Sequence, residues 1–72
     1  MEENKIKLLT QREKEVLALM FRGYQNKDIA DKIFITYHTV KAHLAKIYEK
    51  LEVKNRVQAT IYILSNHLDK EL

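Results

Sequence analysis

The sequence predicts an all-α protein of four helices, and three observations carry the prediction. One glycine and no proline in 72 residues leave little to punctuate hairpins or tight turns. Apolar residues recur at spacings of three and four along most of the chain, the period of a buried helical stripe. Thr10, Thr36 and Asn55 stand directly before such stripes, where a side-chain oxygen can cap the first exposed amides of a helix.

Residues 1–8 read as a polar, mobile lead-in. Thr10 with Glu13 three residues on forms a capping box and opens the first helix, TQREKEVLALMFR, whose inner face is Val16, Leu17, Met20 and Phe21. Gly23 stops that helix from the position where a left-handed residue is usual. The second helix starts near Gln25 or Asn26 and ends by Phe34, with Ile29, Ala30 and Ile33 on one face. After a four-residue corner the third helix runs from Thr36 to about Leu51. Its stripe is Val40, Leu44, Ile47 and Leu51, and Ile35 can pack on Val40 as a hydrophobic staple. Glu52, Val53 and Lys54 form a short link. Asn55 caps the fourth helix, with Gln58 as the return partner of the cap, and that helix runs to about His67 before a frayed DKEL. No internal repeat, linker or low-complexity segment interrupts this order.

A chain this short is one small domain. It buries only about 60% of its unfolded surface, so stability is marginal and dimerisation would help. Hydrophobic residues make up 46% and charged ones 32%, a globular balance rather than a disordered one. Without cysteine there is neither a disulfide nor a thiolate metal site. No apolar run approaches the roughly 18 residues of a membrane span, and MEENKIKL is not a secretory signal. A cytoplasmic protein with no membrane partner is the expectation. The net charge is +3 and the sequence pI about 9.2. Residues 37–56 hold Lys41, Lys46, Lys50, Lys54 and Arg56 against Glu49 and Glu52, so the positive excess sits on the third helix and the turn after it.

The outward surface of that helix carries His38, Thr39, Lys41, Ala42, Ala45 and Lys46, with no acid until Glu49. A helix held by its apolar back and showing cations and small side chains outward suits the major groove of DNA. The fourth helix has two apolar faces, Val57, Ile61, Leu64 and Leu68 on one side and Ala59, Tyr62 and Ile63 roughly opposite. A domain of this size needs one of them for its core. The other is an association surface, unless the helix is buried all round.

The string LLTQREKEVLALMFRGYQNKDIADKIFITYHTVKAHLAKIYEKLEVKNRVQATIYI resembles the LuxR/FixJ/NarL-type (GerE-like) helix-turn-helix domain, and the likeness covers about residues 8–66. The matching residues include Leu9-Thr10, Arg12-Glu13, Glu15-Val16-Leu17, Gly23, Asn26-Lys27 and Ile29-Ala30. They continue through Ile35, Thr39-Val40-Lys41, His43, Ile47, Lys50-Leu51, Val53, Arg56 and Ala59. The likeness implies a transcription regulator bound to double-stranded DNA, with its third helix in the major groove and a homodimer formed through its fourth. RNA polymerase is a further partner such a regulator can have. The likeness fits either a stand-alone regulator or an effector domain that follows a receiver or ligand-sensing domain. It departs from the family at Gln25, a poorer cap than serine or threonine that leaves Asn26 to do that job. It departs again at Ala42 and Ala45, where many members carry longer polar side chains.

By this resemblance Lys41 meets base edges, flanked by Ala42 and Ala45, which can accept a thymine methyl or allow close approach. Phosphate contacts fall to Asn26 and Lys27 at the start of the second helix, and to Thr36, Tyr37, His38 and Thr39 at the start of the third. Lys46 and Arg56 complete that set. Two of these have a competing structural role, Thr36 as a plain cap and Arg56 as an internal tether. The resemblance sets Ala59 and Ile63 against the core and leaves Val57, Ile61 and Leu64 for the dimer partner, with Leu68 continuing their stripe. His43 lies close to the apolar stripe and reads as a packed histidine. His38 and His43 are five apart and do not share a helical face, so no metal site is expected. Ser65 is a lone helical serine and one glycine cannot build a phosphate-cradling loop, so neither an enzyme, a cofactor nor a small-molecule ligand is expected. Two other readings compete: promoter binding in the manner of region four of a sigma factor, and a protein-interaction module that never touches DNA.

Overall fold

The first amides of a helix have no partner within it, and this chain supplies one at most of its helix starts. The computed structural model describes residues 3–72, and among them the helices are α1 (Gln11–Phe21), α2 (Asn26–Ile33), α3 (Tyr37–Leu51) and α4 (Arg56–Ser65). Thr10 caps α1 in a full capping box: the Glu13 amide donates to Thr10 Oγ1 at 3.1 Å, and the Thr10 amide donates to Glu13 Oε1 at 2.9 Å. Thr36 Oγ1 accepts from the Thr39 amide at 3.1 Å. Asn55 Oδ1 accepts from the Gln58 amide at 2.9 Å, but the return bond from Gln58 goes one residue further back, to the Lys54 amide at 2.8 Å. The cap of α2 is Gln25 and not Asn26, which is the first helical residue. The Gln25 amide donates to the Asp28 carboxylate at 3.4 Å, so an acid in the first turn takes up part of what a better cap would do.

All four helices end alike. The amides of Tyr24, Ile35, Val53 and Leu68 reach back five residues to the carbonyls of Leu19, Ala30, Tyr48 and Ile63, at 2.9–3.1 Å. The residue before each is left-handed: Gly23 at φ 98°, Phe34 at 58°, Glu52 at 59° and His67 at 55°. This is the Schellman turn, which brings the following apolar side chain back onto the helix just finished. Tyr24, Ile35 and Val53 pack against the core from the side and Leu68 is inside it. Only Gly23 goes beyond the left-handed well that side chains tolerate. The other three turns carry a cost of about 1–2 kcal/mol each for a residue with a Cβ.

The turn at His67 corrects two expectations. It ends α4 at Ser65, and it swings Leu68 off the outward stripe and into the core, where only 4% of it is exposed. The ends of the chain are also folded. Lys5–Leu8 is a 3-10 turn with Ile6 in the core, its Lys5 amide donates to Tyr62 Oη at 2.8 Å, and Asn4 Nδ2 donates to the Glu71 carboxylate at 2.9 and 3.0 Å. The predicted lead-in is therefore part of the domain from Glu3 onward, and its first two residues lie outside the described ones. Asp69–Glu71 forms a second 3-10 turn where fraying was expected.

The core is built around α3. Val40, Leu44, Ile47 and Leu51 are buried and face Val16, Leu17 and Met20 of α1 and Ile29 of α2, while α4 adds only Ala59 and Ile63. One charge is buried with them. Glu13 Oε1 accepts from Lys50 Nζ at 2.7 Å and ties the start of α1 to the last turn of α3. Burial by itself would raise the Glu13 pKa, but the bonds from Lys50 and from the Thr10 amide outweigh it and hold the carboxyl below its ordinary 4.5. The stability this contributes is fully present above that ordinary value and is lost as pH falls through the lower folded value. Glu13→Gln should therefore cost about 1–3 kcal/mol near neutral pH. That is about 4–8 °C in melting temperature per kcal/mol for a domain this size. The wild-type and variant melting curves should converge on acidification, and a difference that persists in acid would show that the pair is not its source.

Candidate nucleic-acid interface

Because α3 is seated by Val40, Leu44, Ile47 and Leu51, the residues on its opposite side face away from the core. Tyr37, His38, Thr39, Lys41, Ala42, Ala45 and Lys46 are all exposed, as are Thr36 before them and Lys27 on α2. Asn26 is half-buried beside α3, and His43 is half-buried next to the apolar stripe, as a packed histidine would be. The face predicted from spacing is thus one continuous surface.

Its N-terminal end is organised. Thr36 Oγ1 is shared between the Thr39 amide and the Thr39 hydroxyl, 2.9 Å away, so the cap role is filled and the pair presents two hydroxyls at the tip of the helix. The Tyr37 ring packs edge-on against His38, with centroids 5.9 Å apart. Lys41 Nζ lies over the Tyr37 ring, 5.6 Å from its centroid. The Lys41 ammonium therefore points back toward the start of α3, the direction side chains on a helix naturally take.

Behind this surface an open groove runs between α3, the first turn of α2 and the turn leading into α4. Asn26, Lys41, Ala45, Lys54, Asn55 and Arg56 line it. Arg56 has the second of its two expected roles. Its Nη2 donates to the Met20 carbonyl at 3.2 Å and to the Tyr24 carbonyl, closing the end of α1 against the start of α4. A guanidinium bonded to two carbonyls is a tether, and we remove Arg56 from the phosphate set on that ground. Lys54 and Asn55, exposed on the same groove, were not singled out as DNA contacts from sequence. The signal was there in part, since Lys54 belongs to the basic segment and Asn55 to a cap. Their place opposite Asn26 and Lys41 depends on how α4 docks.

On α4 the face in the core is Ala59 and Ile63, both fully buried, and the outward stripe is Val57, Ile61 and Leu64, between 54% and 66% exposed. Tyr62 lies on the flank, half-buried, where its hydroxyl accepts from Lys5. The outward stripe is three residues long, without Leu68.

Two short helices meeting at a tight corner, the second showing a basic face to solvent, define a helix-turn-helix domain of the DNA-binding regulatory class. Residues 7–63 match the family model described as bacterial regulatory proteins, luxR family. That is most of the chain, and the protein belongs to this family. It is 48% identical over 60 residues to the transcriptional regulatory protein LiaR of Bacillus subtilis strain 168, covering 83% of this chain and 28% of that protein. It is also 48% identical over 61 residues to the response regulator protein VraR of Staphylococcus aureus, covering 85% of this chain and 29% of the relative. The chain spans less than a third of the length of these relatives. Among the described residues no helix is long and apolar enough to cross a membrane.

Proposed function

We propose that α3 enters the major groove of double-stranded DNA and reads it, as the effector domain of a bacterial response regulator working in the cytoplasm. The observation that carries this is the exposed face of α3, with two lysines, two alanines and no carboxylate before Glu49. Lys41 donates to base edges, with Ala42 and Ala45 allowing close approach. Asn26, Lys27, Thr36, Tyr37, His38, Thr39 and Lys46 meet phosphate on either side, joined by Lys54 and Asn55 from the groove wall. Two domains pair through Val57, Ile61 and Leu64 about a two-fold axis, as an isologous interface requires. Their reading helices then meet major-groove faces about one DNA turn apart, roughly 34 Å, on an inverted repeat. The exposed apolar stripe of α4 favours this reading over sigma-type promoter binding, which has no need of it. The basic face of α3 favours it over a module that touches only protein.

A salt titration with single-lysine variants tests the assignment. Lys27→Ala and Lys46→Ala should each weaken binding about equally on any sequence and reduce the slope of log K against log salt by about one unit. A variant that instead changed which bases are preferred would move that lysine into the base-reading set. A wild-type slope near zero would remove phosphate contact altogether.

A further inference from the structure

The contact between Lys41 and Tyr37 is a second feature of the reading helix, separate from the number of its cations. A lysine side chain is a flexible stem that loses much rotamer freedom when its ammonium is held in one place. On this helix the two residues stand four apart, the spacing at which helical side chains meet. The ammonium lies within the 6 Å at which a cation is attracted to a ring face. The ring is held in turn by its edge-on contact with His38. About half of Tyr37 is exposed, so its packing in the core does not explain the arrangement.

We propose that Tyr37 is a positioning residue for base readout: its ring holds Lys41 along the outer face of α3, so that the lysine reaches the groove already directed at the bases. This rests on the reading of Lys41 as a base contact. An ammonium resting on a ring face keeps N–H donors on its far side, and those donors are the ones that guanine O6 and N7 would take up. The ring therefore sharpens discrimination between sequences, whereas the Tyr37 hydroxyl adds at most a phosphate bond that is the same on every sequence. His38 acts on the ring and not on the base.

Two substitutions separate ring from hydroxyl. Tyr37→Phe keeps the ring face, and Tyr37→Leu removes it while remaining apolar and helix-compatible. Affinity for a site selected from random DNA is compared with affinity for the same site altered at the base pair that Lys41→Ala ceases to discriminate. Tyr37→Leu should reduce the wild-type discrimination about three- to ten-fold, and Tyr37→Phe should leave it within two-fold. In the Tyr37→Leu background, the loss of discrimination caused by Lys41→Ala should shrink correspondingly. In the free domain, the Lys41 ε-methylene protons should show an upfield ring-current shift in the wild type and in Tyr37→Phe, and lose it in Tyr37→Leu. Equal weakening by Tyr37→Leu on all sequences, or identical behaviour of the two variants, would reduce Tyr37 to a phosphate contact and overturn the proposal. No discriminating effect of Lys41→Ala anywhere would instead overturn the base-contact reading beneath it, while the ring-current shift would still report the contact itself.

Discussion

Replacing Ile61 with glutamate should abolish cooperative binding to an operator of two half-sites while leaving the helical circular dichroism and single-half-site affinity unchanged. Ile61 is 56% exposed at the centre of the α4 stripe, so the free domain accommodates a carboxylate there without burying it. In a two-fold pair the same position meets its own symmetry mate or a near neighbour. Two carboxylates brought into that apolar contact would be desolvated and would repel, at a cost of several kcal/mol, more than a short helix pair can return. Ile63→Glu is the counterpart on the opposite face: Ile63 is fully buried, and a charge there should unfold the domain. Leu68→Ala separates the position that left the stripe from those that stayed. It should cost about 2–5 kcal/mol of stability, as a buried leucine does, with cooperativity intact once the variant is folded. If Ile61→Glu bound the two-half-site operator as cooperatively as the wild type, the partner surface would lie elsewhere.

Lys41→Ala should weaken binding to the preferred site by about 1–3 kcal/mol, the value of a good base contact. This corresponds to roughly a five- to 150-fold loss of affinity. The side chain is exposed and, among the described residues, its contact is with the Tyr37 ring, so melting temperature should hardly move. Non-specific affinity should fall much less, because one cation among several contributes only its share of counterion release. Competition between the selected site and random DNA measures both at once. Wild-type preference in the variant would remove Lys41 from the base-reading set.

Much of this fold is determined locally, and those parts were legible in the residues. A capping box needs only Thr10 and Glu13. A cap at Thr36 or Asn55 needs only an oxygen in front of an apolar stripe. The outward face of α3 follows from the same periodicity, because once Val40, Leu44, Ile47 and Leu51 are inside, Lys41, Ala42, Ala45 and Lys46 have to be outside. Which face of α4 turns inward was not legible from the spacing, since both are apolar. The family resemblance supplied that choice, and the burial of Ala59 and Ile63 agrees with it.

What tertiary structure alone decided concerns residues whose partners lie far along the chain. Ile6 sits in a short polar segment that reads as a loose end, and Leu68 continues an outward stripe by spacing, yet each completes the core. Leu68 does so because a left-handed His67 ends the helix early, a conformation that sequence rules assign to glycine or asparagine. Glu13 shows one half of its role locally, in the capping box, and the other half only when α3 brings Lys50 within 2.7 Å across 37 positions of chain. Arg56 had two possible kinds of partner, phosphate or carbonyl oxygen, and nothing near it in sequence could choose. The choice fell to the end of α1, which places the carbonyls of Met20 and Tyr24 within reach of its guanidinium. Periodicity and caps act within a few residues and can be read in one dimension, whereas the partner of a long charged side chain is set by packing and exists only in three.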